Sequence, residues 1–130
     1  MKKFLLLGIL CLSSLLSYGQ HRILSATQYH IGQPSSITAS GDRINPQKLS
    51  AGRIRWVALS HDLIKEYPFN TLLEVKCEMY PELNGVWVVK DKMIPRLRNS
   101  IDFLMPRGKS RLGRTSVRVR KYVEKTVDNS

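Results

Sequence analysis

Two neighbouring segments decide the fold, VWVVKDKM (Val86–Met93) and NSIDFLM (Asn99–Met105). Each is an apolar, strand-like run that carries one aspartate, Asp91 in the first and Asp102 in the second. A carboxylate in such a strand is costly to bury unless it is hydrogen-bonded or its pKa is raised. Both aspartates are therefore candidates for acid/base chemistry. The structural alternative is that Asp91 faces solvent at a strand end and that Asp102 pairs with one of the many arginines.

Short β-prone runs separated by turn residues surround these two segments. The predicted strands are Ile23–Tyr29, Ile54–Leu59, Thr71–Met79, Val86–Val89, Ile101–Met105 and Thr115–Val123. Asn84-Gly85 predicts a tight hairpin turn before the fourth of them. One short helix is predicted over His61–Tyr67, because Ser60 can act as its N-cap and Pro68 ends it. This pattern predicts a mainly β fold, a small barrel or sandwich with one short helix.

The first 19 residues are predicted to be a secretory signal peptide. A basic start precedes an apolar run from Phe4 to Leu16, and small residues lead to a cleavage site after Gly19. An uncleaved N-terminal anchor is the alternative. The rest suffices for one domain, predicted over 20–125 with a frayed tail at 126–130. We therefore expect an exported protein of the periplasm or cell envelope.

The chain is strongly basic. It has 21 Lys and Arg residues against 10 Asp and Glu residues, a formal net charge of +11. Much of this excess lies in a C-terminal cluster between Arg107 and Lys121. A basic stripe can bind nucleic acid, but an exported protein meets anionic glycans, peptidoglycan carboxylates or lipid head groups instead. We expect no nucleic-acid partner. The basic cluster could bind an anionic partner in the envelope; the alternative is that it is a solvent-exposed strand face that only keeps the protein soluble.

The cysteines and histidines do not indicate disulfide or metal chemistry. Only Cys77 remains after signal cleavage, so it has no internal disulfide partner, and its strand-like run indicates a structural thiol. His21, His30 and His61 lack any metal-ligand spacing. We therefore expect no metal and no cofactor. Both tryptophans lie inside apolar runs, which favours core packing over stacking on sugar rings.

The order of motifs along the chain resembles the 3D domain, a family named for three aspartates that adopts a six-stranded double-psi β-barrel. The matching pieces span about Ala26 to Val119. In chain order they are ATQYH, ITASGDRI, AGRIRWVALS, YPFNT, GVWVVKD, IDFLM and LGRTSVRV. The resemblance implies that Asp91 and Asp102 are the second and third of the family's aspartates.

The chain departs from the 3D pattern in three places. Ser60 stands where the first aspartate is expected, and Asp62, two residues on, falls in the predicted helix. The glycine-rich loop after the second aspartate is replaced by DKMIPRLRN, so the cleft must differ in shape there. Asn70 replaces a turn glycine, and it tolerates a left-handed backbone almost as well as glycine does.

The resemblance implies a lytic transglycosylase-like activity, which cleaves the bond between N-acetylmuramic acid and N-acetylglucosamine in peptidoglycan. By motif match, Asp102 is the acid/base, and Asp91 orients it or stabilises charge. Thr38, Ser60 and Arg96 are expected to contact the glycan strand. We expect a monomer. Two alternatives remain. One is a non-catalytic barrel that binds peptidoglycan or an envelope partner, and the other is an adaptor that docks through its basic face. The sequence therefore leaves open whether the protein is an enzyme.

Overall fold

The chain forms a closed six-stranded β-barrel in a computed structural model that describes residues 20–31, 36–108 and 111–124. The strands are β1 (Arg22–Tyr29), β2 (Trp56–Leu59), β3 (Leu72–Lys76), β4 (Gly85–Lys92), β5 (Ser100–Leu104) and β6 (Thr115–Lys121). Around the barrel they follow the order β1-β5-β2-β4-β3-β6. The β1–β5 and β2–β4 pairs are parallel and the other four pairs are antiparallel. The predicted double-psi β-barrel is confirmed. The predicted signal peptide and the frayed tail lie outside the described residues.

The helices of the described residues are short. They are α1 (Pro46–Ser50), α2 (His61–Ile64) and a 3₁₀ turn (Pro81–Leu83). Helix α2 confirms the first half of the predicted helix. Helix α1 was not predicted, although Asn45 followed by a proline is a sequence signal for a helix start. In the structure, the Asn45 side chain caps this helix by accepting a hydrogen bond from the backbone N–H of Lys48 at 3.0 Å. None of these helices has the length and apolarity that a membrane crossing requires.

The predicted tight turn at Asn84-Gly85 is wrong. Strands β3 and β4 do pair antiparallel, with Val75 opposite Gly85, but residues 77–84 form a long loop between them. Asn84 is extended, with φ −64° and ψ 142°. Its side-chain oxygen accepts a hydrogen bond from the backbone N–H of Cys77 at 2.6 Å. Asn84 therefore closes a long loop through its side chain, a role that asparagine also plays in turns.

The barrel interior is filled by alternate residues of the six strands. Phe103 is fully buried at its centre, and the Trp87 ring meets it edge-on with ring centroids 4.8 Å apart. Cys77 is a buried free thiol, as predicted. The other fully buried strand residues of the interior are Leu24, Val57, Leu59, Leu73, Val75, Val89, Ile101, Val117 and Val119.

A second apolar cluster lies on the outer face of the barrel wall. Ile101 and Phe103 point inward, so alternation along β5 turns Leu104 outward. There Leu104 packs against Ile44, Leu49 and Ile54, which belong to the segment before β2. This segment covers one part of the outer face, and the uncovered part next to it carries Asp102.

Candidate functional site

Asp91 and Asp102 belong to one row of residues across four strands. Asp102 on β5 is in register with Thr27 on β1 and with Ala58 on β2. Ala58 is in turn in register with Asp91 on β4. Residues in register project from the same face of a sheet, so the row Thr27–Asp102–Ala58–Asp91 shares the outer face. With one strand between them, the Cα atoms of the two aspartates lie about 10 Å apart.

A β-bulge in β4 brings Asp91 into this row. Val57 is in register with Val89, but the next residue, Ala58, is in register with Asp91. Lys90 is therefore an extra residue in β4. Without the bulge, Lys90 would stand opposite Ala58, and Asp91 would fall outside the row.

Asp102 is a partly buried carboxyl group without a cationic partner. Its Oδ1 accepts a hydrogen bond from Thr27 Oγ1 at 2.9 Å. No ion pair joins it to any residue of the described ranges, which contradicts the alternative of an arginine partner. Burial raises the pKa of Asp102, and the charge of Asp91 adds to this, while the Thr27 hydrogen bond and His30 act in the opposite direction. The raised pKa favours the protonated acid.

Asp91 is held by backbone donors instead. Its Oδ1 accepts hydrogen bonds from the backbone N–H groups of Ala39 and Lys92, each at 2.9 Å. Ala39 belongs to the TASG turn, so this bond fixes the turn against the end of β4. Oδ2 of Asp91 has no hydrogen-bond partner within the described part of the chain and is available to a ligand.

The bulge residue Lys90 clamps the same turn. Its Nζ donates to Asp42 Oδ2 at 2.9 Å and to Asn70 Oδ1 at 2.6 Å. The hydrogen bond from Lys90 lowers the pKa of Asp42. Asn70 has φ +74°, which confirms the left-handed backbone expected for the residue that replaces a glycine. The clamp gives the site a fixed wall beside Asp91.

The three residues expected to contact substrate are not brought to the row. Thr38 is 4% exposed, and its Oγ1 lies 2.7 Å from Ser40 Oγ inside the turn. Ser60 is fully buried, and its Oγ accepts a hydrogen bond from the backbone N–H of Ser100 at 3.0 Å. Arg96 is exposed in the loop between β4 and β5, with no hydrogen bond or ion pair to Asp91 or Asp102 among the described residues. Thr38 and Ser60 thus support the fold, because neither hydroxyl is free at the surface.

Asp62 does not replace the missing first aspartate. It lies in the first turn of α2, where its Oδ2 accepts a hydrogen bond from the backbone N–H of Asn99 at 3.1 Å. Burial tends to raise the pKa of Asp62, but hydrogen bonds from Ser60 and Asn99 outweigh it and lower the pKa. Asp62 is a structural carboxylate that ties α2 to the chain before β5.

Tyr29 is a site residue that sequence analysis missed. It follows Thr27 by two residues on β1 and so shares the outer face. Its Oη is buried and has no hydrogen-bond partner among the described residues. Burial raises the pKa of the phenol, and the charges of Asp91 and Asp102 raise it further, so the three groups lie within electrostatic reach. The two-residue spacing was readable in ATQYH, but only the β1–β5 pairing connects it to Asp102.

Comparison with known proteins gives the fold. No family model matches this chain, and no curated protein matches it. A mutant of the Clavibacter michiganensis expansin in complex with cellohexaose superposes with a TM-score of 0.54 at 18% identity, over 82% of this chain and 52% of that one. The apo form of the same expansin gives a TM-score of 0.56 at 16% identity, with the same coverage.

The chain therefore spans about half the length of each of these structures. At such low identity the likeness concerns the fold, a double-psi-type barrel of six strands. Among the described residues, no group of three or more His, Cys, Asp or Glu side chains is arranged to hold a metal ion.

Proposed function

We propose that this protein binds cell-wall polysaccharide across the outer barrel face and cleaves it with Asp102 as the acid/base. The observation that carries the proposal is the environment of Asp102. Its carboxyl group is partly buried, lacks a cation among the described residues, and is in register through Ala58 with the carboxylate of Asp91. A carboxyl group whose pKa is raised by burial next to a second, anchored carboxylate is typical of sites that transfer protons.

The reaction that fits one such acid is a lytic transglycosylation of peptidoglycan. Protonated Asp102 donates its proton to the glycosidic oxygen as the bond from muramic acid C1 breaks. The C6 hydroxyl of the same muramic acid residue then attacks C1 and returns its proton to the Asp102 carboxylate. The products are a 1,6-anhydro end and a free hydroxyl on the departing sugar, and no water is consumed. Asp91, with one oxygen unengaged, stabilises the positive charge that develops on the sugar ring.

Three further observations support a wall polysaccharide as ligand. An expansin with this fold was obtained in complex with cellohexaose. The basic charge of the chain suits the acidic peptidoglycan better than a neutral glucan. The N-terminal sequence has the pattern of a secretory signal, and export would bring the protein to the wall. We infer an exported protein of the periplasm or envelope that acts as a monomer.

Digestion of purified peptidoglycan by the chain from Gln20 onward tests this function, with the products identified by mass spectrometry. We expect 1,6-anhydro-muropeptides from the unmutated protein and roughly 100-fold less, or still less, from Asp102→Asn. Hydrated reducing ends would instead indicate a hydrolase that uses water as the nucleophile.

A non-catalytic polysaccharide-binding barrel is the second candidate, and the position of Ser60 favours it. The 3D pattern has an aspartate there, whereas Ser60 is fully buried and its hydroxyl is used by Ser100. The site therefore lacks one of three acidic groups. Absence of any product, with peptidoglycan pulled down equally by the unmutated protein and by Asp102→Asn, would favour this binding role over catalysis.

A further inference from the structure

A wide groove of about 1070 Å³ lies between β1 and the segment that leads into β6. We call it the β1–β6 groove. Thr27, the hydrogen-bond partner of Asp102, lines it, so the groove is continuous with the row of aspartates. Its basic lining residues are His30, Arg111 and Arg114. No aspartate or glutamate of the described residues lines it, which makes it a positively charged extension of the site.

The two groove arginines, which precede β6, differ from the two arginines within β6. Arg120 donates to Glu74 at 3.0 Å, and Arg118 lies 3.6 Å from Glu78. By contrast, Arg111 and Arg114 are exposed and form no ion pair with any described residue. Their charges are therefore available to a ligand, whereas Arg118 and Arg120 of the same basic cluster lie next to glutamates.

The segment that carries these arginines is fixed to the barrel. The backbone N–H of Leu112 donates to Gln28 Oε1 at 3.0 Å, and the backbone N–H of Gly113 donates to the Tyr80 hydroxyl at 2.7 Å. Gly113 also fits closely, since a Cβ there would lie 3.1 Å from the Tyr80 hydroxyl oxygen. These two hydrogen bonds lie between Arg111 and Arg114 in the chain, so they hold both arginines at the groove.

His30 is oriented in the same groove by the barrel. Its Nδ1 lies 3.0 Å from the carbonyl oxygen of Met105, which can only accept, so Nδ1 carries the proton in this contact. Its Nε2 lies 3.5 Å from the side-chain nitrogen of Gln28. The imidazole is thus held in the groove directly after the end of β1, the strand that supplies Thr27.

We propose that the β1–β6 groove is a subsite for a carboxylate substituent of the glycan, bound by Arg111 and Arg114. The proposal rests on the proposed binding of a polysaccharide at the Asp102 row, and it narrows the ligand to a glycan with carboxylate groups on its sugars or on peptides attached to them. Neutral glucan or chitin would fill the Asp102 row but leave both arginines unpaired. Because Thr27 joins the groove to the row that contains Asp102 and Asp91, one ligand can reach both. A glycan makes use of the carboxyl groups in that row, whereas nucleic acid or a lipid surface does not require them.

The test compares binding of the full chain and its variants to three insoluble polymers: peptidoglycan, the same peptidoglycan with its carboxylates amidated, and chitin. Arg111→Gln/Arg114→Gln should weaken binding to peptidoglycan roughly 5- to 30-fold, since two exposed charge contacts are lost. The unmutated protein and Arg111→Gln/Arg114→Gln should bind amidated peptidoglycan equally, and they should also bind chitin equally. Arg53→Gln/Lys65→Gln is the matched control, because it removes two exposed charges that lie outside the groove lining.

Equal weakening by both double variants would overturn the subsite, since it would mean general charge attraction. An unaltered affinity of Arg111→Gln/Arg114→Gln for peptidoglycan would overturn it as well. Tighter, arginine-dependent binding to duplex DNA or to anionic phosphatidylglycerol vesicles than to peptidoglycan would reassign the groove. Selective loss of peptidoglycan binding without any cleavage product would support the subsite while rejecting catalysis, so the two proposals fail separately.

Discussion

The two faces of β5 are held by different kinds of interaction. Ile101 and Phe103 point inward and are fully buried among apolar side chains. Asp102, between them, points outward and has one described hydrogen-bond partner, the Thr27 hydroxyl. The inner face is stabilised by many contacts of similar strength, so any one of them can vary in chemistry but not in volume. Around Asp102, the outer face relies on a few specific groups, whose removal should alter chemistry while the barrel persists.

The largest effect on stability should come from the inner face. Phe103→Ala removes a fully buried ring from the centre of the barrel and should lower the free energy of unfolding by about 3–5 kcal/mol. Leu72→Ala, at an exposed position on β3, is the control and should change it by about 0.5 kcal/mol or less. Chemical denaturation followed by fluorescence measures both values. Similar losses for the two variants would contradict the division between inner and outer residues.

A smaller loss of stability should follow from Ser60→Ala. The Ser60 hydroxyl satisfies the backbone N–H of Ser100 in a fully buried position. Its removal leaves that donor unpaired, which should cost about 1–3 kcal/mol of unfolding free energy. Peptidoglycan binding by the folded variant should be unaltered. A stable variant with impaired binding would return Ser60 to the site and remove its structural assignment.

The pH dependence of cleavage should respond to the two neighbours of Asp102 in opposite directions. As the acid, Asp102 must be protonated, so the rate falls as pH rises through its raised pKa. Thr27→Val removes a hydrogen bond that lowers this pKa and should move the alkaline limb to higher pH. Asp91→Asn removes a negative charge that raises the pKa and should move the limb to lower pH. Rate profiles for release of anhydro ends measure both shifts, and movement in the same direction would exclude Asp102 as the titrating acid.

The smallest effect should come from Tyr29→Phe. The hydroxyl removed is buried and has no partner among the described residues. Its loss should leave the free energy of unfolding unchanged or raise it by about 1 kcal/mol. Thermal and chemical unfolding test this directly. A clear destabilisation would show that the hydroxyl is satisfied, and a loss of cleavage with unaltered stability would place Tyr29 in contact with the glycan.

The difference between the faces also explains what the sequence predicts. Short β-prone runs bounded by turn residues predicted all six strands, because each strand buries apolar side chains in the barrel and ends where the chain turns. The resemblance to the 3D domain indicated both aspartates. The sequence did not reveal Thr27 or Tyr29, since the pairing of β1 with β5 joins residues about 75 positions apart.

Short sequence motifs gave the wrong local structure where a side-chain hydrogen bond, and not a backbone turn, fixes the chain. Asn84-Gly85 has the composition of a tight turn, yet the Asn84 side chain closes a longer loop. Ser60 was placed at the cleft by alignment of short motifs, but it is fully buried after the end of β2, where its hydroxyl accepts a hydrogen bond from Ser100. The alignment of Asp91 with Asp102 depends on a one-residue bulge at Lys90, which no periodicity in the sequence marks.

The most direct test of the central claim is the rate at which peptidoglycan yields 1,6-anhydro ends with Asp102→Asn and Asp62→Asn. Both substitutions replace one aspartate carboxylate by an amide, but only Asp102 lies in the row with Asp91, whereas Asp62 lies in α2 and accepts a hydrogen bond from Asn99. Asp102→Asn should be slower by roughly 100-fold or more while still binding peptidoglycan, and Asp62→Asn should cleave at close to the unmutated rate. Equal rates for the two variants would contradict the assignment of Asp102 as the acid/base.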